Sequence, residues 1–527
     1  MAPDPAERVE GAELRPESVR SRYVVTLSAQ VFRLMLSLIS ATIVPRALGP
    51  VVYGNYSFLL STSTTLRGVL DTGTQQAFFT FSSQEGASGS LTRLYALVLC
   101  IQFSIVVAII ALAGTTGRTD WLWHAQRLDQ IVLVTALDWL MFLALSLQQL
   151  GDSKGLTAYQ QLVGAAVALL TLIGLVLLRL TGTLGFYSFV WLSLAGAGLN
   201  CMVLVYRLLV VNRALFWSGA ITVRNYATRW WRFTRPLILL QFYLPVVAYL
   251  GLFLIQKWYG SAEQGYYALA LQWCGFAMVF TNSAVWIFWR EIAHHSASQD
   301  LRVTAGIYER FSKLFFLLAV VLACWLSASS GLLVNLVAGE RFHPAAAVLA
   351  IMAFYPVSQT LGQMSMVSLK AMERTGTYAR WCIALSVPDV LLTYVLLAPP
   401  SALAPGLHLG AAGLAFKTAV YGLVSVQVFD WLNCHFLGIR YRAMLGRRMV
   451  ALTTVGAIAA VLLGAGGPLL RSSGFGGVTA LALSSGAYAV AIAAGIWWCP
   501  GVAGLTRAQL LQGMSSLRGG RRQALSL

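Results

Sequence analysis

Runs of roughly twenty apolar residues, separated by short polar interruptions, recur from near the start of this chain almost to its end. Each run is long enough to cross a hydrocarbon layer of ~30 Å as a helix. That pattern leaves few ways to fold. Inside lipid every backbone amide and carbonyl must be bonded internally, so spanning segments are helices or strands of a closed barrel. The strand-like alternation of a barrel is absent, which leaves helices. Of the 527 residues, 58% are hydrophobic and 11% charged, against the ~25% charge of an ordinary soluble domain. The expected fold is an all-α polytopic membrane protein.

About fourteen transmembrane helices are predicted, at 23–44, 55–82, 92–114, 130–150, 158–178, 186–206, 236–256, 264–289, 313–333, 345–369, 379–398, 410–433, 449–466 and 475–498. The polar residues Met1 to Arg22 lack the pattern of a cleavable signal peptide, so the first span is expected to stay in place. With the N-terminus in the cytoplasm, only Arg46, Arg118, Arg127, Arg179, Lys257, Arg341 and Arg471 of the 37 lysines and arginines fall on the outer side. Arg33, Arg67 and Lys417 fall inside spans, and the rest lie on the inner side. This asymmetry predicts an even number of spans with both termini cytoplasmic. The net charge of +18 is thereby an orientation signal rather than a nucleic-acid footprint. Its densest stretch, Arg207 to Arg235, is expected to meet anionic lipid headgroups.

The turn GPVVYGNYSF (49–58) and the turn GSAEQGYYAL (260–269) both fit Gly-x4-Gly-x-Tyr. GTLGFYSF (182–189) and GAAGLAF (410–416) both begin Gly-x2-Gly. The pairs occur in the same order, which predicts two six-helix lobes related by a pseudo-twofold repeat plus two extra C-terminal helices. The expected organisation is a tail 1–22, an N-lobe 23–212, a basic loop 213–235, a C-lobe 236–436, a helix pair 437–499 and a cytoplasmic tail 500–527.

Polar groups inside spans are the candidate functional residues. Thr26, Gln30, Arg33, Ser37 and Ser40 recur at helical spacing and form one stripe. Ser57, Ser61, Thr64, Gly68, Asp71 and Gln75 form a second, with Arg67 at its border. Arg33 lies about 15 Å from either end of its span, too deep to reach water easily, and an arginine facing lipid there costs ~2.5–3.5 kcal/mol. Both stripes are therefore expected to line a hydrated cavity. Arg67 could equally pair with Asp71, four residues on. Lys417 supplies a cation in the other lobe. Asp138 and Asp389, acids within spans, join Asp71 as candidates for coupling to H+ or Na+, since burial lets an acid trade protons. Asp430, near an inner helix end, is expected at the interface. Pro245, Pro356 and Pro388 are expected to interrupt helices.

The chain carries no Gly-x4-Gly-Lys-Ser/Thr loop and no HExxH, and none of its seven cysteines has CxxC spacing. The pair His294–His295 is expected to be solvated at an inner helix end rather than to bind metal. The longest outer loop, 115–129, is short for a catalytic element. No cofactor is expected, and a transporter is expected rather than an enzyme. Organic-cation antiport, lipid II flipping and glycan polymerisation or ligation stand as alternatives.

The stretch PRALGPVVYGNYSF (45–58) followed by LDTGTQQA (70–77) resembles the opening of bacterial polysaccharide flippases, the O-antigen and exopolysaccharide translocases of the MOP (multidrug/oligosaccharidyl-lipid/polysaccharide) exporter superfamily. YGSAEQGYYALA (259–270), GERFHPAAAVLAIMAF (339–354), LKAMERTGTYAR (369–380) and HLGAAGLAFKTAV (408–420) extend the likeness through both lobes in order. The resemblance implies alternating access by two lobes and transport of undecaprenyl-diphosphate-linked oligosaccharide, with polysaccharide polymerase and export machinery as partners. It also implies cavity cations on the first two helices, where Arg33 and Arg67 fit, alongside Lys417 and the polar Gln30, Ser37, Thr64 and Gln75. The acid many members carry near Tyr249–Leu250 is missing.

Overall fold

The computed structural model describes residues 19–85, 89–152, 156–210, 223–235, 238–297 and 301–504. The tail before residue 19, residues 211–222 of the basic loop, the side chains of His294 and His295, and the tail after residue 504 lie outside that description. Among the described residues every regular element is helical. Among the described residues eleven helices are long and apolar enough to cross a membrane, and the chain is a multi-pass membrane protein. One of them, Ser28–Asp71, is two helices joined at a kink, where Gly49 leaves helical geometry at φ 73° and ψ 170°, and it holds most of the first predicted span and the opening part of the second. The helices Ile238–Tyr259 and Ser261–Ala297 lie at the seventh and eighth predicted spans.

The chain divides into two units, Met1–Leu48 with Phe58–Tyr249 and Gly49–Ser57 with Leu250–Leu527. The first contains most of α1 (Val19–Asp71), then α2 (Thr74–Glu85), α3 (Gly89–Thr115), α4 (Leu128–Asp152), α5 (Thr157–Leu180), α6 (Phe186–Val205) and α7 (Val223–Thr234). The predicted second span, 55–82, is corrected here. It breaks at Thr72 and Gly73, both at positive φ, and the Asp71 carboxylate caps the new helix by accepting from Thr74 Oγ1 and the Gln75 amide. Asp-Thr-Gly-Thr is a breaker followed by a helix start, which the polar stripe concealed. The basic loop also contains a helix. In α7, Tyr226 and Trp230, one turn apart, are buried, while Trp231 and Arg232 face outward. Trp230 stacks near Tyr95, which itself stacks on Phe78 at 4.1 Å, so α7 is pinned onto α2 and α3.

The second unit begins with residues 49–57 of α1 and the later half of α8 (Ile238–Tyr259), followed by α9 (Ser261–Ala297), α10 (Leu301–Ala328), α11 (Ser330–Val337), α12 (Ala345–Met352), α13 (Tyr355–Ala371) and α14 (Thr375–Leu397). Next come α15 (Gly410–Phe416), α16 (Gly422–Leu437), α17 (Tyr441–Ala459), α18 (Gly466–Ser472) and α19 (Gly477–Trp498). The predicted span 313–333 starts a dozen residues early, because Leu301 to Lys313 form amphipathic turns ahead of the apolar run. Pro245 and Pro388 lie inside helices, but Pro356 starts one, where its missing amide costs nothing. A core of Phe316, Val320, Leu361, Val426, Val455 and Tyr488 joins α10, α13, α16, α17 and α19.

The repeated glycines share their backbone. Gly49 and Gly260 have φ of 73° and 83°, Gly182 and Gly410 of 70° and 58°, values that side chains with a Cβ rarely adopt. The second glycines of the first pair, Gly54 and Gly265, meet each other within the second unit. A Cβ on Gly54 would lie 1.8 Å from Ser261 O, and one on Gly265 2.2 Å from Pro50 O. Asn55 Oδ1 accepts from Ser261 Oγ and Tyr53 donates to Gln272, tying the same crossing. Gly265→Ala must therefore push two backbones apart and is expected to lower the thermal unfolding midpoint, by ~1–3 kcal/mol of overpacking. Gly456→Ala, in α17 with open space around it, should raise the midpoint slightly.

Candidate functional site

The polar side chains singled out within the spans form two local groups in the first unit, one around Arg33 and one around Arg67, and another in the second unit around Lys417. In the first unit, α1 exposes two different faces. Gln30 and Ser37 are exposed on the side that also carries Arg33, whereas Val31, Phe32, Met35 and Ile39 are exposed on the other. At about 100° per residue the two faces are roughly opposite. The apolar face suits acyl chains, and the polar face suits water or a polar partner.

Arg33 is half-buried. Its Nη1 donates to Gln161 Oε1 at 3.2 Å on α5. The guanidinium lies against Gly164, where an added Cβ would meet Nη1 at 3.1 Å and Cζ at 3.3 Å. Gln161 and Gly164 are functional neighbours that sequence reasoning missed. The signal was a glycine one turn after a glutamine in a long apolar run. Gly164→Val should displace Arg33 from Gln161 while the protein still folds, since the arginine end is flexible. An unfolding midpoint close to that of the unaltered protein checks this.

Arg67 turns to Asp138 on α4, not to Asp71, which is occupied at the start of α2. Nε donates to Oδ2 at 3.0 Å and Nη2 to Oδ1 at 3.5 Å. Ser63 and Thr64 donate to the same carboxylate, at 3.3 and 2.9 Å, and the guanidinium sits 4.1 Å from the centre of the Phe142 ring. Asp138 is 4% exposed and so has its charge met by four hydrogen bonds. Gln75 lies on α2, beyond the break, and no longer continues the stripe of α1. Where the expected acid near Tyr249 is missing, the Tyr249 hydroxyl donates to Leu122 O and accepts from Thr62.

In the second unit Lys417 Nζ lies 2.8 Å from Asp389 Oδ2. The helix widens into a π turn over Lys417–Tyr421, a local distortion that commonly marks functional positions. Tyr421, one turn on, donates to Leu385 O on α14, and Tyr267 shares a hydrogen bond with Thr418. Two residues chosen for opposite charges thus prove to be partners. Asp430 corrects another expectation. It is 1% exposed rather than interfacial and pairs with Arg448 at 2.5 Å.

The electrostatic outcome is simple. Of the three cations that the sequence places inside predicted spans, Arg67 and Lys417 each face a carboxylate. Among the described residues no carboxylate pairs with Arg33; its partner is a neutral amide. The first unit therefore keeps one uncompensated positive charge on the polar face of α1, backed by a glycine and flanked by Gln30 and Ser37. Such an arrangement attracts an anion and offers it a planar, forked donor.

Neither a protein-family model nor a curated sequence matches the chain. Solved structures do. The lipid II flippase MurJ, in an inward closed conformation, superposes on 89% of this chain and 97% of its own, with TM-score 0.62 at 12% identity. An inward-facing multidrug resistance MATE family transporter of the MOP superfamily covers 79% and 98%, with TM-score 0.59 at 12% identity. The Vibrio cholerae MATE transporter VcmN covers 81% and 95%, with TM-score 0.52 at 12% identity. The chain has the fold of these MOP-type flippases and transporters.

Proposed function

We propose that this protein is a flippase for polyprenyl-diphosphate-linked oligosaccharide, the repeat unit of an O-antigen, capsule or exopolysaccharide, in a bacterial inner membrane. The single observation that carries the reading is the uncompensated Arg33 on the polar face of α1. A diphosphate bears negative charge and a glycan bears hydroxyls, so both face a large barrier in hydrocarbon. Arg33 would bind the diphosphate through charge-assisted hydrogen bonds, and Gln30, Ser37 and Thr64 would offer hydrogen bonds to sugar hydroxyls. The prenyl chain would stay in lipid. The protein would work by alternating access, coupled to H+ or Na+ or driven by the membrane potential. The neighbouring folds support a carrier of this kind, and lipid II is itself named in one of them.

Organic-cation antiport needs an acid free to meet a cation. Asp138 and Asp389 face Arg67 and Lys417 instead, and Asp71 caps a helix. Reconstitution distinguishes the readings. Proteoliposomes loaded with fluorescent undecaprenyl-diphosphate oligosaccharide should expose it to an external membrane-impermeant quencher faster than protein-free vesicles. No acceleration, with a cationic dye extruded instead, would sink the flippase.

A further inference from the structure

The break that ends α1 leaves a carboxylate with no cation to meet it. Asp71 is half-buried within a predicted span. Its Oδ1 accepts from Thr74 Oγ1 at 2.5 Å and from the Gln75 amide at 3.1 Å. Among the described residues Oδ2 makes no hydrogen bond and no lysine or arginine pairs with Asp71. Arg67, one turn earlier, faces Asp138 at 3.0 Å instead. Across the break stands Gln102, midway along α3 and 5% exposed. Its Nε2 donates to Leu70 O at 3.0 Å and to Thr74 Oγ1 at 3.3 Å. Its Oε1 is buried and has no partner among the described residues, and neither has Gln75 Nε2. Buried polar atoms in that state are costly and point to a ligand, a water or another conformer. The atoms around Gln102 Nε2 are oxygens. Leu70 O belongs to the last turn of α1, whose carbonyls carry the negative end of the helix dipole. Thr74 Oγ1 adds a hydroxyl, and Asp71 Oδ1 beside it adds charge. The Nε2 group thus holds a place that a cation could take. Half a rotation of the amide swaps its two ends, so that Oε1 joins the other oxygens and Nε2 withdraws from among them.

We propose that the break at Leu70–Thr74 binds Na+, held by Leu70 O, Asp71, Thr74 Oγ1 and Gln102 Oε1. Oxygen donors suit a hard cation, and a single carboxylate is neutralised by a single monovalent charge. Interrupted helices whose end carbonyls hold Na+ recur in membrane carriers. The donor groups lie within hydrogen-bond distance of one another, a spacing fit for a bare ion and too close for an organic cation. As the coupling-ion site of the transport proposed above, the role rests on that reading. Binding itself is measured without any glycan, so either proposal can fail while the other stands.

The test uses the full-length purified protein in neutral detergent, with NaCl compared with choline chloride at equal ionic strength. The unaltered protein should bind radioactive Na+ and unfold at a midpoint that climbs with NaCl but not with choline chloride. Asp71→Asn removes the charge and keeps the helix cap, which asparagine makes well. It should weaken Na+ binding roughly 10- to 1000-fold, the range of one short-range charge contact at a partly buried site. Gln102→Leu keeps the carboxylate and removes one oxygen, for a loss of roughly 2- to 10-fold. The two variants alter different helices, so one remains to be read if the other misfolds. Na+ binding weakened by these amounts in folded variants supports the site. An unaltered protein with no Na+-specific binding or stabilisation, or folded variants that bind as it does, overturns the site.

Discussion

Arg33→Gln should weaken the apparent affinity for a diphosphate-linked glycan by roughly 10- to 150-fold, the equivalent of one lost charge-assisted hydrogen-bonding group worth ~1.5–3 kcal/mol. Its thermal unfolding should barely move, because among the described residues Arg33 hydrogen-bonds the neutral Gln161 rather than a carboxylate and leaves no charge stranded when removed. Arg33→Lys should recover part of the affinity, since an ammonium keeps the charge but not the fork. Arg67→Gln should behave in the opposite way. It strands Asp138, which is 4% exposed, so stability falls first and transport falls with it. Asp138→Asn added to Arg67→Gln should restore much of that stability, because the network then holds no net charge. Concentration-dependent flipping in proteoliposomes, measured beside an unfolding curve for each variant, separates the two patterns. If Arg33→Gln left affinity unchanged while the arginine at position 67 controlled it, the electrostatic assignment would be reversed.

Much of this architecture is visible in the linear sequence because a membrane punishes any departure from helix. Apolar runs therefore mark most spans directly, and the glycines of the repeat mark the turns. Gly49 with Gly260, and Gly182 with Gly410, were matched by letter pattern and share positive φ. What the sequence hides is pairing. Lys417 and Asp389 stand out separately as a cation and an acid, yet only the packing of α14 beside the π turn between α15 and α16 makes them one neutral unit. Arg67 shows an acid four residues ahead, and helical spacing favours it. The break at Thr72–Gly73 gives Asp71 other work, and a helix 71 residues away in sequence supplies Asp138. Arg448 falls at the edge of a predicted span, where a basic residue reads as an inner-loop charge. Its role depends on three other helices, which no single-helix pattern contains.

That buried group should produce the largest stability effect in the molecule. Asp430 and Arg448 are 1% and 4% exposed. Asp430 Oδ1 accepts from Tyr308 and Ser365, at 2.6 and 3.0 Å, and Oδ2 accepts from Arg448. Arg448 Nη2 donates to Ser312 at 2.6 Å. The network ties α10, α13 and α16 to α17, the first of the two helices beyond the repeat. Removing either charge alone leaves the other desolvated and unpaired, at a cost of ~3–5 kcal/mol. Asp430→Asn and Arg448→Met should therefore each lower the unfolding midpoint sharply. The double variant should lie well above both, because an amide and a thioether can share that space without a stranded charge. A coupling energy of similar size in a double-mutant cycle, measured on full-length protein in detergent, is the expected result. Simple additivity of the two losses would mean that Asp430 and Arg448 are held by their other neighbours and not by each other. Tyr308→Phe is a milder probe. It deletes one donor to Asp430 and should cost ~1–3 kcal/mol, placing it between wild type and the single charge deletions and so ranking the contributions within the network.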